Sequence, residues 1–112
     1  MWSLRHRVDI DERLQVLNDF GEQIDTWHMV VWSEPAAVEP LRGSEAFAAL
    51  QISSDQPYKI VVRFRPDIRY SPNMRVLWEG RTLDIESVAE EKAAGHYVHI
   101  HCRERGPQGF RQ

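Results

Sequence analysis

Leu4, His6, Val8 and Ile10 alternate with Arg5, Arg7 and Asp9 at the start of the chain. A period of two sends successive side chains to opposite faces, so residues 4–10 are expected to form a strand with one buried and one wet face. Residues 14–17 are short and ambiguous. Asn18-Asp19-Phe20-Gly21 has turn chemistry, because Asn and Asp satisfy local backbone groups and Gly tolerates positive φ. A second strand is expected over 27–32. Pro35, Pro40 and Gly43 then break regular pairing, leaving Ala36-Ala37-Val38 as a possible edge strand. Ser44 followed by Glu45-Ala46-Phe47-Ala48-Ala49-Leu50 reads as an N-cap, an acidic first turn and a helix of about two turns.

The pattern after this helix is again that of strands. Ser53-Ser54-Asp55-Gln56-Pro57 is a loop by composition. Tyr58, Ile60, Val62 and Phe64 then alternate with Lys59, Val61, Arg63 and Arg65, the strongest strand signal in the chain. A polar, proline-marked connection over 66–73 leads to Met74, Val76 and Trp78, alternating with Arg75 and Glu79. Glu79-Gly80 suits a two-residue hairpin into a strand over 81–86. Glu90-Glu91-Lys92 reads as a turn region, and 97–103 as the last strand. About six short strands, tight turns and one small helix in a long inter-strand loop, about 39–57, predict a mainly β fold: a small antiparallel barrel. One domain over 1–105 and a flexible tail over 106–112 complete the expected organisation.

Composition narrows the function. The chain has 112 residues, 42% apolar and 28% charged, which suits one globular core. A formal charge of -3 gives no basic surplus to hold the domain on nucleic acid. The amino terminus lacks the apolar core of a signal peptide, and no apolar run approaches the roughly eighteen residues of a membrane span. Synthesis in the cytoplasm without membrane partners is expected. Cys102 is the only cysteine, so neither an intrachain disulfide nor a thiolate zinc cluster is available.

Candidate chemistry is sparse. His96, His99 and His101 fall close together, but strand alternation accounts for them: Val98, Ile100 and Cys102 form the buried set, leaving Tyr97, His99, His101 and Arg103 to solvent or a partner. His6 sits on the apolar side of the first strand. Asp9, Asp11 and Glu12 are assigned to a solvated face rather than to acid–base work. No glycine lies in a strand-to-helix phosphate fingerprint. No catalytic residue, metal site or cofactor is expected. Arg63, Arg65, Arg75 and Arg81, with Arg42 and Glu45, are the candidate contacts with neighbouring subunits, since guanidinium pairs bidentately with carboxylates. A small barrel that binds nucleic acid through arginine-bearing strands, with Trp78 and Tyr97 as stacking platforms, is the alternative.

The order of motifs carries a resemblance. Leu4-Arg5-His6-Arg7-Val8-Asp9-Ile10, Asp19-Phe20-Gly21, Trp27 and Ala37-Val38-Glu39-Pro40-Leu41-Arg42-Gly43-Ser44-Glu45 resemble the first half of the tailed-bacteriophage head–tail joining family. Ile60-Val61-Val62-Arg63-Phe64-Arg65-Pro66-Asp67-Ile68, Arg75-Val76, Gly80-Arg81, Asp84-Ile85 and Cys102-Arg103-Glu104 resemble its second half. Pro35 stands where that family usually carries tryptophan, and Trp32 is the candidate to supply the bulk. The resemblance implies a non-enzymatic head-closure, or stopper, subunit of the virion neck, made in the host cytoplasm. It implies a ring of copies of the chain itself, twelvefold in that family, with the portal and adaptor above and a tail-completion or tail-tube protein below. It also implies a channel loop that helps retain packaged double-stranded DNA. The matching positions are Glu39, Pro40, Leu41, Arg42, Gly43, Ser44, Glu45, Phe47, Ser53 and Asp55.

Overall fold

The computed structural model describes residues 2–41, 56–92 and 95–104. Six strands lie within them: β1 (His6–Leu17), β2 (Gln23–Pro40), β3 (Gln56–Arg63), β4 (Met74–Trp78), β5 (Arg81–Glu91) and β6 (Tyr97–Glu104). Every pairing is antiparallel, and the order β1-β2-β3-β6-β5-β4 closes back onto β1 as a barrel. The mainly β antiparallel fold expected from the alternation is therefore the observed one. The helix expected from Ser44 to Leu50 lies outside the described residues.

The period-two pattern builds the core directly. Val8 and Ile10 of β1, Ile60 and Val62 of β3, Val76 of β4, Leu83 and Ile85 of β5, and Val98, Ile100 and Cys102 of β6 form one buried cluster. Tyr70, from the β3–β4 connection, and Met74 join it. Burying each of the larger aliphatic side chains contributes roughly 1.5–3 kcal/mol relative to exposing it.

A second cluster corrects the expected outer face. Val61 and Tyr97 point away from the main core, yet they are 0% and 1% exposed. Trp2 and Leu4 lie over them and over Ala37, so the segment before His6 crosses the outside of the barrel instead of extending β1. Lys59 Nζ sits 4.7 Å from the Trp2 ring, and the His99 ring meets Trp2 edge-on at 5.3 Å. Tyr97 is therefore packed rather than facing solvent with His99.

Three further boundaries differ from expectation. The segments expected at 27–32 and 36–38 are one strand, β2, which runs straight through Pro35. That proline is tolerated because β3 pairs with β2 only from Ala36 onward, leaving one flank of β2 unpaired where the N–H is missing. Between the pairs Val8↔Glu34 and Ile10↔Val31, Trp32 and Ser33 together oppose Asp9, a bulge. Ser33 has a positive φ of 53°, held by its N–H donating to Asp9 Oδ1 at 2.7 Å and its carbonyl accepting from Arg7 Nη1 at 3.1 Å. Trp32 points out of this bulge at 71% exposure, so it does not supply the packing bulk expected of it. At the far end Glu90 and Glu91, expected in a turn, pair with Val98 and Tyr97 inside β5.

The Glu79-Gly80 hairpin forms as expected, with φ of 50° and 77° and Trp78 opposite Arg81. Positive φ at both positions is the type I′ geometry, which matches the strand twist. Truncating the core tests the packing: Ile100→Ala should lower unfolding stability by about 2–5 kcal/mol in urea titration, without changing the far-UV spectrum.

Candidate assembly surface

The longest strands overrun the barrel. β1 pairs with β4 only over residues 9–12, and β2 meets β3 only from Ala36. Residues 13–17 and 23–27 are left to pair only with each other, through Arg13↔Trp27, Leu14↔Thr26, Gln15↔Asp25, Val16↔Ile24 and Leu17↔Gln23. The result is a two-stranded arm with two open edges. Alternation places Leu14, Val16 and Ile24 on one face of it, at 40%, 41% and 42% exposure.

The arm ends in an ordered turn. Asn18 Oδ1 accepts from the backbone N–H groups of Phe20 and Glu22, both at 2.9 Å, while Asn18 Nδ2 donates to Glu22 Oε1 at 3.0 Å. Asn18 N–H also donates to the Glu22 carbonyl, and Gly21 takes a φ of 80°. This self-satisfied turn holds Phe20 outward at 87% exposure. An aromatic ring displayed from a fixed backbone is characteristic of an interface anchor, because little ordering entropy remains to be lost on contact. Sequence reading found the turn but missed the surface. The signal was present in Val16 and Ile24, placed equally far on either side of Phe20 in the turn.

At the base of the arm Arg75 donates from Nε to Asp11 Oδ1 at 2.9 Å and from Nη2 to Asp11 Oδ2 at 3.2 Å. Its guanidinium also stacks 3.7 Å from the Trp27 ring. Asp11 was expected on a solvated face but is only 5% exposed. Arg13 N–H donates to the Asn73 carbonyl at 2.9 Å, tying the arm to the β3–β4 connection.

The predicted subunit contacts are scattered. Arg65 pairs with buried Glu34 at 2.9 Å and with Asp67 at 3.0 Å. Arg81 donates to the Tyr58 hydroxyl at 2.8 Å, lies 3.8 Å from Glu104 and stacks over Trp78. Arg63 is exposed, 5.8 Å above the Tyr97 ring. Arg65, Arg75 and Arg81 thus already have partners within the chain. Of the predicted channel loop, Glu39 and Pro40 pair with Lys59 and Tyr58 as part of β2, Leu41 N–H donates to the Pro57 carbonyl, and the connection itself spans 41–55. Arg42, Gly43, Ser44, Glu45, Phe47, Ser53 and Asp55 lie outside the described residues.

The remaining candidates are structural. His6 and Tyr58 pack edge-on against Trp78, and Tyr97 is buried, so the two proposed stacking platforms are not open ones. His96 stacks flat on Phe64 at 3.9 Å, and the His99 ring bonds Glu91 at 2.6 Å. That bond holds the Glu91 carboxyl below its ordinary range. Among the described residues no group of three His, Cys, Asp or Glu side chains is arranged to hold a metal ion. Cys102 donates weakly to the Tyr58 carbonyl, and burial, with Glu86 and Asp84 adding repulsion, pushes its thiol up to about 12. The cleft lined by Phe64, Ile68, Arg69, Tyr70 and Val88 holds about 420 Å³ and brings no nucleophile and base together. No helix among the described residues is long and apolar enough to cross a membrane.

The family model described as phage head completion protein matches residues 2–105. The chain belongs to the phage head completion protein family. As a member it is a structural component of the virion with a role at the head–tail junction, and it is not an enzyme. Two solved structures share the fold. One is a chain from the virion of a native gene transfer agent particle, 24% identical, covering 94% of this chain and 97% of that one, with a TM-score of 0.68. The other is the solution structure of protein SF1141 from Shigella flexneri 2a, 29% identical, covering 90% and 92%, with a TM-score of 0.63. No curated protein sequence matches this head completion protein.

Two measurements check this account of the surface. Arg75→Met leaves a buried carboxylate without its cation and should destabilise the fold by about 3–5 kcal/mol, whereas adding Asp11→Asn should recover part of the loss. The alkaline limb follows from Cys102 and Tyr70, whose ionisation burial pushes up to about 12 from 9.0 and 10.0. Well below pH 9.0 both groups are neutral, folded or unfolded. Above it the unfolded chain loses these protons first, so stability in urea should decline as pH rises, and Cys102 should react with a thiol reagent only after unfolding.

Proposed function

We propose that this head completion protein is the subunit of the head-closure ring, seated between the portal and adaptor above and the tail-completion or tail-tube protein below. The observation that supports this reading best is the arm: an ordered hairpin with Leu14, Val16, Ile24 and Phe20 exposed has no purpose in a free barrel and fits a subunit meeting neighbours. Twelvefold symmetry, by family resemblance, suits the portal axis. The 41–55 connection, with Arg42, Ser44, Glu45 and Phe47, is the segment proposed to reach into the channel and help retain packaged DNA.

The chemistry is consistent with a conduit. A chain carrying -3 at neutral pH exerts no net attraction on a polyanion, so DNA can pass without being held. Synthesis in the host cytoplasm, followed by addition to filled heads, is part of the same reading. Deleting the gene from its parent phage should leave DNA-filled heads that leak or lack tails, seen by electron microscopy. The purified protein should restore tail joining when added back to such heads. Normal tailed particles from the deletion would refute the proposal.

A further inference from the structure

The arm tip and the cleft are different patches of one chain, and their chemistry is complementary. At the tip Phe20 stands between two carboxylates, Asp19, exposed, and Glu22, whose Oε1 accepts from Asn18. The cleft is lined by Phe64, Ile68, Val88 and Val98, with Arg65 and Arg69 among its polar groups. Arg65 is shared between Glu34 and Asp67, whereas Arg69 is exposed and has no ion pair among the described residues. Glu90 also lines the cleft, where its carboxylate lies 3.5 Å from His96 Nε2. An apolar cavity of about 150 Å³ already accepts a benzene ring, so 420 Å³ leaves room for a phenyl group and its flanking backbone.

We infer that Phe20 of one copy seats in the Phe64–Val88 cleft of the next copy, with Asp19 of the first facing Arg69 of the second. Within one chain the two patches do not meet, since Phe20 stays 87% exposed. The occupant is a second copy because the knob is acidic and aromatic while the cleft offers the apolar side chains Phe64, Ile68, Val88 and Val98 with Arg69 exposed beside them and Glu90 set against His96, a match carried by the same sequence. A contact between two different patches runs head to tail, so it propagates from copy to copy, as a ring requires, instead of stopping at a pair. The apolar row Leu14, Val16, Ile24 then lies along the neighbour's barrel end and leaves water with the tip. This inference rests on the ring reading only in requiring copies side by side.

The test uses particles assembled with the full chain. Gln23→Cys on the arm and Pro66→Cys beside the cleft, in the same chain with Phe20, Asp19 and Arg69 left in place, should give a ladder of covalent multimers on a denaturing gel after treatment with a short thiol cross-linker. Either substitution alone should give none, because Cys102 is buried and unreactive. Separately, Asp19→Arg should lower the yield of tailed particles roughly tenfold or more, and Arg69→Asp added to it should restore that yield. These positions are all exposed, so melting midpoints should match the parent; should the midpoint of Pro66→Cys fall, Asp67→Cys replaces it with the same partner. Normal particles containing the doubly substituted chain but giving no ladder would overturn this contact and leave the ring reading standing. A cross-link from residue 23 to another neck protein would overturn it too, as would failure of the charge reversal to restore yield. Tailed particles that lack the chain altogether would instead overturn the ring reading itself.

Discussion

Closure of the sheet over four residues of β1 governs the rest of this molecule. At residues 9–12, β1 pairs with β2 on one side and β4 on the other, and the barrel exists because both ladders form there. The Arg75–Asp11 pair fastens the same point from outside, with Trp27 stacked on the guanidinium. One residue further on, β4 has ended and β1 has β2 alone. The same strand is therefore barrel wall at Ile10 and arm at Leu14. Curvature comes from the Ser33 bulge, where an acidic and a basic side chain, Asp9 and Arg7, hold a left-handed residue that a regular ladder would reject.

Most of the barrel was legible in the sequence because buried strands leave a period of two, and the Glu79-Gly80 turn needs residues that accept positive φ. What misled was local. Pro35 reads as a break, yet a proline on a strand flank that lacks a partner costs no ladder hydrogen bond. Val61 and Tyr97 sit on the outward phase of their strands but are covered by Trp2 and Leu4, a contact between residues far apart in sequence that no local period encodes. Asp11 reads as solvated because its partner, Arg75, lies on another strand.

The functional surface was less visible for a different reason. Sequence reasoning seeks convergent ionisable groups or basic runs, and a subunit that works by contact needs neither. Its arginines are largely engaged at home: Arg65 with Glu34, Arg75 with Asp11, Arg81 with Tyr58. Exposed apolar residues carry the contact potential instead, and Leu14, Val16 and Leu17 resemble a fragment of core until the pairing shows that no core lies behind them.

The lone sulfhydryl has a consequence for the life of a virion. Where surroundings change from reducing to oxidising, exposed thiols form mixed disulfides or link subunits at random. Cys102, enclosed by the barrel with its proton firmly held, presents no thiolate to either environment. The fold is held by packing and ion pairs whose strength is indifferent to redox potential, so a virion part built on it tolerates a reducing or an oxidising medium alike.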